Sequence, residues 1–426
     1  MRVLLVSVVP VSKSVSSGNT LLNVMENFDD VELRNVCVRA GTPDTDISKC
    51  FCVTEKMLIK NLLGKGPAGV SFVPAERNSE PRRNKTENRI LRFVHAHRWT
   101  LLLWAQAMVW HVGRWKSKEL KEFVEDYDPD IVFTFLSATP FLNRMIMHIM
   151  KLAPRAKLVL FAWDNTYSYK QLMLSPLMWI QRFMDRFPMR KVAVRADKFY
   201  VICKEMKEEY EKSFDRECKI LTKGADFTDE AQLKGTYNRP LQLVYTGNIL
   251  LNRWKSLARI AEALERVNQN GVRAQLRIYT GNTLTKRMDQ ALNRGESSIV
   301  MGSVPSSQVA QIQKEADMLV HVESMDLKNR LWVRQSFSTK IVDYLAASRP
   351  ILAYGPFDVA SIAHLRDNAC AVVANKPEEL YEQLLALVDH DGALDELAAK
   401  AYQCGRAYHQ QSEIRKMLRR DFNELL

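Results

Sequence analysis

Short continuous apolar runs alternate with stretches of helical periodicity along most of the chain. The first run, 2–9, is rich in β-branched residues, which is typical of a strand buried on both faces of a parallel sheet. Comparable runs follow at 31–38, 130–136, 157–163 and 198–202, with helical patterns from Thr20, at 143–151 and at 204–214. Because strand patterns lead into helical patterns, this half is predicted to be α/β with a parallel sheet.

A second alternating series begins after residue 240. It predicts strands at 241–245, 274–280, 298–301, 318–322, 350–354 and 369–373, and helices at 255–268, 307–314 and 340–347. The segment 223–240 is polar and rich in turn residues, as domain boundaries are. We therefore predict two Rossmann-like doubly wound α/β domains, 1–232 and 233–405, and a C-terminal helix, 406–426, that packs back on the first domain. Ligands of such domains bind near the carboxyl ends of the strands.

The segment 41–88 fits this alternation less well. It contains Pro67, Pro74 and Pro81, and a basic, polar run at 77–89. Proline lacks a backbone donor and interrupts both helices and central strands. An extended loop is predicted there.

Composition excludes several classes of protein. The 426 residues are 46% hydrophobic and 26% charged, which excludes a disordered, collagen-like or coiled-coil chain. The net charge of +12 predicts an anionic partner: nucleic acid, an anionic membrane face or a phosphorylated small molecule. The basic residues concentrate at 77–98 and 182–195, but no nucleic-acid-binding module is recognisable.

The cysteines do not form a disulfide or zinc pattern. There are seven, the closest pair is Cys50 and Cys52, and no C-x-x-C occurs. Reduced thiols and a cytoplasmic location are therefore expected. The first apolar run follows a single Arg2 and lacks a nearby small-residue cleavage site, which favours a strand over a signal peptide.

The segment 337–356 (FSTKIVDYLAASRPILAYGP) offers the clearest candidate chemistry. Ser338 and Thr339 are good helix starters, and a helix N-terminus attracts anions. Lys340 lies in the first turn, which is unfavourable for a cation unless an anion binds there. Asp343, one turn later, could accept hydrogen bonds from ligand hydroxyls. A capped helix with a solvated lysine and aspartate explains the same residues, and both interpretations stay open at this point.

The order of motifs resembles family 4 of the retaining glycosyltransferases with the GT-B fold. That family has a pattern like F-x-x-K-x-x-E-Y-L-A-x-G-x-P-V-L-A, which 337–353 resembles with Asp343 in the acidic position and Ser348 in place of glycine. LVYTGN at 243–248, IVMGSV at 299–304 and ADMLV at 316–320 resemble further segments of its donor domain. The resemblance is at the level of motifs over 196–356 and of fold over 1–195. It implies two domains that face a central cleft.

The resemblance implies a set of donor-binding residues. Arg253, with Lys255 as a near alternative, would meet the diphosphate together with Lys340 and the N–H groups of Ser338 and Thr339. Asp343 would bind the ribose and Gln335, where the family often has glutamate, would bind the sugar. The remaining implied donor-site residues line the strand ends and their loops: Gly247, Asn248, Gly281, Ser303 and Val304.

On the acceptor side the resemblance implies Gly18, Asn19 and Asp164. A simple strand–helix turn explains Gly18 and Asn19 equally well, and a helix cap is a second interpretation of Asp164. His321 ends a predicted strand near the expected cleft, where a structural histidine is favoured over a ligand-binding one.

The implied activity is transfer of a sugar from a UDP- or GDP-sugar to a hydroxyl acceptor with retention. No cofactor or metal is expected, because the basic residues supply the positive field and no D-x-D motif occurs. Family analogy points to a glycan or lipid-linked acceptor in cell-surface polysaccharide, capsule or glycolipid synthesis. A non-catalytic sugar-nucleotide-binding scaffold and a sugar-nucleotide epimerase of the same fold are the alternatives.

Four tryptophans lie in one apolar stretch of the first half: Trp99, Trp104, Trp110 and Trp115. Basic residues flank this stretch, and 172–191 adds more apolar and basic residues. Tryptophan with Arg and Lys suits peripheral contact with the anionic inner face of a membrane. A buried helix of the domain core explains the tryptophans as well, so both remain open.

Overall fold

The computed structural model describes residues 1–12, 16–25, 28, 30–41, 43, 46–74, 100–173, 175–228 and 230–426. The basic run 77–98 and Trp99 lie outside the described residues. The chain divides into two compact units. The first unit comprises Met1–Tyr169, Met173–Leu221 and Lys416–Leu426, and the second comprises Lys170–Leu172 and Thr222–Arg415. The sequence placed the boundary between 232 and 233, whereas Thr222 already belongs to the second unit.

The first unit contains an eight-stranded sheet in the order β4-β3-β2-β1-β5-β6-β7-β8. Only the β3–β4 pair is antiparallel. The strands are β1 (Arg2–Ser7), β2 (Glu32–Cys37), β3 (Lys49–Cys52), β4 (Val70–Phe72), β5 (Ile131–Phe135), β6 (Lys157–Ala162), β7 (Lys198–Val201) and β8 (Lys219–Ile220). The helices are α1 (Ser16–Met25), α2 (Glu55–Leu62), α3 (Thr100–Val112), α4 (Lys118–Tyr127), α5 (Pro140–Leu152), α6 (Pro176–Arg195) and α7 (Lys204–Phe214).

The apolar run that begins the chain forms a central strand, as its pattern predicts. Val3, Leu4, Leu5 and Val6 of β1 are all fully buried. The strand pairs in parallel with β2 on one side and β5 on the other. Both faces of the sheet are therefore covered, which accounts for the four consecutive apolar residues at 3–6.

Two expectations for the first unit were wrong. The predicted loop at 41–88 contains β3, α2 and β4, and Cys50 and Cys52 are core residues of β3. Gly18 and Asn19 belong to α1, which begins at Ser16 rather than near Thr20. A Cβ atom on Gly18 would lie 2.4 Å from the backbone oxygen of Ser12, so glycine lets the helix approach the preceding loop closely.

The second unit contains an all-parallel sheet in the order β11-β10-β9-β12-β13-β14. Its strands are β9 (Leu241–Thr246), β10 (Ala274–Tyr279), β11 (Ser298–Gly302), β12 (Met318–Val322), β13 (Ile351–Tyr354) and β14 (Val372–Ala374). Its helices are α8 (Arg253–Val267), α9 (Lys286–Leu292), α10 (Ser306–Glu315), α11 (Leu327–Val333), α12 (Lys340–Ala346), α13 (Ala360–Asp367), α14 (Pro377–Leu387) and α15 (Asp391–His409). Helix α16 (Gln411–Leu425) crosses into the first unit.

This strand order is the 3-2-1-4-5-6 arrangement of doubly wound nucleotide-binding domains. Strands β9 and β12 are neighbours, although about seventy residues separate them along the chain, because the direction of winding reverses between them. The loops after β9 and β12 thus leave the sheet side by side. This is the point at which ligands of such sheets bind. The prediction of doubly wound α/β units is confirmed.

The segment Lys416–Leu426 completes the first unit. Asp421 is fully buried, accepts a hydrogen bond from the Tyr200 hydroxyl at 2.8 Å and pairs with Lys219 at 2.6 Å. Phe422 is also fully buried, with its ring centroid 6.4 Å from that of Phe133 in the central strand β5. The end of α16 is therefore part of the core of the first unit.

The described tryptophans of the predicted apolar stretch are buried or partly buried. Trp110 and Trp115 are buried, and Trp110 stacks on Phe141 at 4.3 Å between ring centroids. Trp104 is partly buried and donates from Nε1 to Gln181 of α6 at 2.7 Å. Neither buried indole can reach a membrane. No helix in the described part of the chain is both long enough and apolar enough to cross a bilayer.

Candidate functional site

The candidate site lies in the second unit, where the winding of the sheet reverses. Gly247 directly follows β9, and Glu323 directly follows β12. The hydrogen bond from Gly247 N to Tyr279 O continues the pairing of β9 with β10, and that from Glu323 N to Tyr354 O continues the pairing of β12 with β13. Both residues are thus held at the carboxyl edge of the sheet.

Gly247 and Lys340 are in direct contact. Gly247 has φ of 144°, a conformation that favours glycine, and a Cβ atom there would overlap with the amine of Lys340. The Lys340 amine donates to the carbonyl of Thr246 at 3.1 Å and lies 5.1 Å from the centroid of the Tyr245 ring. The side chain of Lys340, the first residue of α12, therefore extends across the loop that follows β9.

Arg253, at the start of α8, extends from the same loop towards β12. Its Nε and Nη2 atoms donate to the two carboxylate oxygens of Glu323, both at 3.0 Å. Its Nη1 atom donates to Asn248 Oδ1 at 3.1 Å. Glu323 is only 3% exposed, so this bidentate pair links the two loops in a largely dry environment.

The electrostatics of the site favour a bound anion. Burial, followed by repulsion from Arg253, lowers the pKa of Lys340 to about 8. Glu323 balances Arg253 directly. Within the described part of the chain the amine of Lys340 makes no ion pair. Lys340 and Arg253 share the carboxylate of Glu323, while Asp343, the other carboxylate that acts on Lys340, is paired with Lys223. A bound anion would therefore relieve the repulsion between Lys340 and Arg253.

His321 is a structural residue. It lies in β12, is buried, and its Nε2 atom is 3.2 Å from the hydroxyl of Ser361. Burial, with smaller contributions from Lys340 and Arg253, lowers its pKa to about 3. The imidazole is therefore neutral at physiological pH.

A buried polar frame fixes the end of β9. The hydroxyl of Thr246 accepts from Gln313 Nε2 of α10 at 2.9 Å and lies 3.3 Å from the hydroxyl of Tyr344 of α12. The hydroxyl of Tyr245 donates to the carbonyl of Asn248 at 2.5 Å. The loop shape around Gly247 is thus set by side chains from three elements.

The carboxylate of Asp343 forms an ion pair within the second unit. Its Oδ1 atom accepts an ion-paired hydrogen bond from Lys223, and the Asp343 side chain is 38% exposed. Lys223 lies at the start of the second unit, next to Thr222. The carboxylate proposed for a ribose is therefore already engaged, and the ligand would share or displace Lys223.

Helix α12 begins at Lys340, as the sequence predicts, but no side chain caps its N-terminus. The helix itself spans seven residues from Lys340, and Thr339 makes no side-chain capping hydrogen bond. Ser338 accepts a backbone hydrogen bond from Ile341, as in a first turn. Gln335 is fully buried. Lys340 is therefore the residue of this segment that carries charge to Gly247.

The loops after β10 and β11 meet beside the site. A Cβ atom on Gly281 would contact the Ser303 side chain at 3.5 Å, and Thr280 N donates to the carbonyl of Gly302 at 2.8 Å. Asn282 Oδ1 accepts from the backbone of Ile249 at 2.8 Å, which ties these loops to the loop after β9.

Two further candidates lie close to these loops without a contact to Lys340 or Arg253 among their described interactions. Val304 is partly buried one residue beyond Ser303. Lys255 is exposed, with its Nζ atom 5.8 Å from the centroid of the Trp254 ring. Of the two basic residues considered for the diphosphate, Arg253 is therefore the one built into the site.

The acceptor-side candidates belong to the first unit. Gly18 is buried in the first turn of α1, after β1. Asn19 follows it in the same helix. Asp164 is exposed just beyond β6, and its carbonyl accepts from Thr166 N at 2.7 Å. All three lie near the carboxyl ends of the first sheet's strands.

Sequence reasoning missed three residues of the site: Glu323, Lys223 and Asn282. Glu323 follows a buried strand and is charged, which is the one signal that could have singled it out. Lys223 and Asn282 gain their roles only from contacts with distant parts of the chain. Among the described residues, no group of three or more His, Cys, Asp or Glu side chains could hold a metal ion.

Comparison with known proteins supports the interpretation of the second unit. Residues 240–390 match the model of the family described as Glycosyl transferases group 1. This match contains Gly247, Arg253, Glu323, Lys340 and Asp343. No curated protein matches the sequence.

The whole chain also aligns with solved structures. HepE from Anabaena, crystallised with UDP, aligns with a TM-score of 0.63 and 12% identity over 100% of both chains. Sucrose-phosphate synthase from Thermosynechococcus elongatus gives 0.59 and 12%, over 100% of this chain and 98% of the other. Trehalose 6-phosphate synthase from Burkholderia multivorans gives 0.58 and 10%, over 100% and 96%. At these identities the likeness is one of fold, and that fold is GT-B.

The donor-type motifs, the strand order and the family match all concern the same unit. Residues 240–390 match the family of group 1 glycosyltransferases, and the whole chain has the GT-B fold.

Proposed function

We propose that the protein transfers a sugar from a UDP- or GDP-sugar to a hydroxyl acceptor with retention of the anomeric configuration. The observation that carries this is the placement of Lys340 and Arg253 around Gly247, at the carboxyl edge of the second sheet. These two cations, which share the carboxylate of Glu323, suit a diphosphate. The lack of a side chain at Gly247 lets the Lys340 amine lie against this loop.

The proposed chemistry is stabilisation of the leaving group. As the bond between the sugar C1 and the diphosphate oxygen breaks, charge grows on the diphosphate, and Lys340 and Arg253 stabilise it electrostatically. The acceptor oxygen bonds to C1 on the same face, and its proton passes to the departing phosphate oxygen. No protein base, cofactor or metal takes part in this scheme, since the two side chains supply the positive field.

The same scheme gives the other site residues their roles. Asp343 accepts hydrogen bonds from the ribose hydroxyls, with Lys223 released or shared. The backbone near Ser338, Thr339, Gly281, Ser303 and Val304 surrounds the nucleotide. Gln335 is fully buried, so it supports the segment before α12 rather than touching the sugar. Gly18, Asn19 and Asp164 line the acceptor side.

UDP-sugars are the first donors to test. HepE of Anabaena has been crystallised with UDP and UDP-glucose, and it shares the fold of this chain. For the acceptor we propose a glycan or lipid-linked hydroxyl in the synthesis of a cell-surface polysaccharide, a capsule or a glycolipid. That part rests on the family resemblance.

The test is a panel of UDP- and GDP-sugars, with nucleotide release and the anomeric configuration of the product followed by NMR. We expect slow release of the nucleotide from one donor. The anomeric bond of the product should have the same axial or equatorial orientation as that of the donor. The Lys340→Met variant should lose about 10²–10³ in kcat/KM for the donor. The Lys255→Met variant is the matched control, because that lysine is exposed.

Three results would contradict the proposal. Donor binding without turnover, even with lipid acceptors, would indicate a scaffold. Interconversion of the sugar nucleotides would indicate an epimerase. Inverted configuration in the product would overturn retention while leaving sugar transfer intact.

A further inference from the structure

Helix α6 has apolar residues on both of its sides. Its inner side buries Met189, Val192 and Ala193 against the first unit. Its outer side exposes a second apolar set: Leu177 at 42%, Ile180 at 49%, Phe183 at 70%, Met184 at 56% and Phe187 at 66%. A surface helix of a globular protein normally has polar residues on its solvent-facing side, so the apolar outer side of α6 is unusual.

The exposed residues of α6 form one stripe. At 3.6 residues per turn, positions 177, 180, 184 and 187 follow one another along the helix, with Phe183 beside them. The buried residues of the same helix lie on the opposite side. The stripe is therefore a continuous outward surface rather than a set of scattered apolar side chains.

The charge of α6 is strongly one-sided. Its sequence contains five basic residues, Arg182, Arg186, Arg190, Lys191 and Arg195, and a single acidic residue, Asp185. Asp185 is buried, and burial raises its pKa to about 6. Exposed positive charge therefore accompanies the exposed apolar stripe.

Two of these cations accompany the exposed arc: Lys191 lies within it, and Arg190 lies at its edge, where its Nη1 atom donates to the carbonyl of Ser213. Arg190 and Lys191 are exposed, and the amine of Lys191 is 4.4 Å from the centroid of the Phe187 ring. Arg186, by contrast, stacks over the rings of Tyr167 and Tyr169 and holds the N-terminal approach to the helix in place. An exposed cation thus lies directly beside an exposed phenylalanine at the outer surface.

Helix α3 lies against α6, joined to it by the hydrogen bond from Trp104 to Gln181. Helix α3 also exposes apolar side chains, Leu102, Met108 and Val112, together with His111. The buried Trp110 and Trp115 belong to the core. The exposed surface of α3 and α6 therefore combines aliphatic, methionine and phenylalanine side chains with the cations Arg190 and Lys191.

We infer that the outer face of α6 docks on an anionic lipid bilayer. Exposed phenylalanine and aliphatic side chains insert at the level of the headgroups, and Arg190 and Lys191 pair with anionic headgroups. A second copy of the chain is a poorer occupant, because a symmetric contact would bring the same cations together. The inference goes beyond sugar transfer and does not depend on it.

The experiment measures co-sedimentation of the full chain with vesicles, in the absence of donor and acceptor. Vesicles of phosphatidylcholine alone are compared with vesicles that also contain phosphatidylglycerol. Binding to the anionic vesicles, weakened by salt, is expected. The Phe183→Ser/Phe187→Ser variant should lower this partitioning about tenfold or more, and so should Arg190→Gln/Lys191→Gln.

The matched control is Leu62→Ser/Leu63→Ser, since these leucines of the same unit are 43% and 64% exposed. Its partitioning should equal that of the unsubstituted protein, and thermal melting checks that every variant folds. Failure of the unsubstituted protein to bind anionic vesicles overturns the inference, as does binding that the α6 variants leave unchanged. A dimer that the α6 variants convert to a monomer would assign this face to a second copy instead.

Discussion

The amine of Lys340 occupies the space that a side chain on Gly247 would need. These two residues are far apart in the sequence, yet the loop after β9 and the side chain of the first residue of α12 pack closely together. The Gly247→Ala substitution should therefore displace Lys340 and strain a backbone with φ of 144°. We expect about a 100-fold loss of kcat/KM for the donor.

A matched control separates these two effects. Gly271 has φ of 120°, and a Cβ atom there would meet nothing within 4 Å. The Gly271→Ala variant carries the backbone cost, about 1–2 kcal/mol, without moving Lys340. Equal losses of activity in both variants, measured with the same donor, would show that strain rather than the lysine contact matters.

The lowered pKa of Lys340 predicts a conflict between stability and donor binding. Below pH 8 the buried amine is charged, although burial and Arg253 both disfavour its charged form, and this lowers the stability of the folded state. The destabilisation fades as pH rises from about 8 towards the ordinary lysine value of 10.5. Thermal unfolding without ligand should therefore show Lys340→Met as more stable than the unsubstituted protein at pH 7, with a smaller gain at pH 9.5. A variant less stable at pH 7 would contradict this.

Donor binding should depend on pH through the same amine. A diphosphate beside Lys340 raises its pKa, so binding above pH 8 takes up a proton. Affinity for UDP should be constant between about pH 7, where the terminal phosphate is already ionised, and pH 8, and it should fall above pH 8 by at most about tenfold per pH unit. Calorimetry in buffers of different ionisation enthalpy would detect the proton. The Lys340→Arg variant keeps its charge and should lose this pH dependence, and a flat profile in the unsubstituted protein would refute the prediction.

The pair of Arg253 and Glu323 offers a test of binding against stability. Glu323→Ala leaves a largely buried guanidinium without its partner and should destabilise the fold by about 3–5 kcal/mol. Replacing both residues by methionine should restore much of that stability, because no unpaired charge remains. Donor affinity should stay low in the double variant, as urea unfolding and UDP titration together would show. Recovery of affinity there would remove Arg253 from the donor site.

Asp343 and Lys223 can be separated in the same way. Asp343→Asn removes both the ion pair and the charged acceptor for a ribose, and donor KM should rise about tenfold. Lys223→Met removes only the ion pair and frees the carboxylate. Its donor KM should stay within a few-fold of the original or fall. A rise equal to that of Asp343→Asn would mean that the ion pair itself shapes the site.

Most strands and helices follow from the sequence. The strand Met318–Val322 and the helix Lys204–Phe214 have the bounds that their patterns predict. Residues that commonly end strands or helices flank both segments, and the hydrophobic pattern of each fits only one type of element. The strand Lys49–Cys52 was missed because four residues between turn segments are too short to show a period.

The charged residues of the site were predicted only in part. Arg253 and Lys340 stand in recognisable local patterns. Glu323 became visible only once β9 and β12 were known to be neighbours, because its partner is 70 positions away. Lys223 is 120 positions from Asp343, and no local pattern links them. Contacts made across the sheet are set by topology rather than by nearby sequence.

The end of helix α16 also fixes the order in which the protein can mature. Lys416–Leu426 is synthesised after the whole of the second unit, yet it supplies Asp421 and Phe422 to the core of the first. During translation the core of the first unit cannot be completed until the second unit has left the ribosome. Until then Tyr200 and Lys219 lack the carboxylate of Asp421 as a partner. A nascent chain halted before Lys416 would therefore hold an unfinished first unit beside a second unit that already has all of its strands.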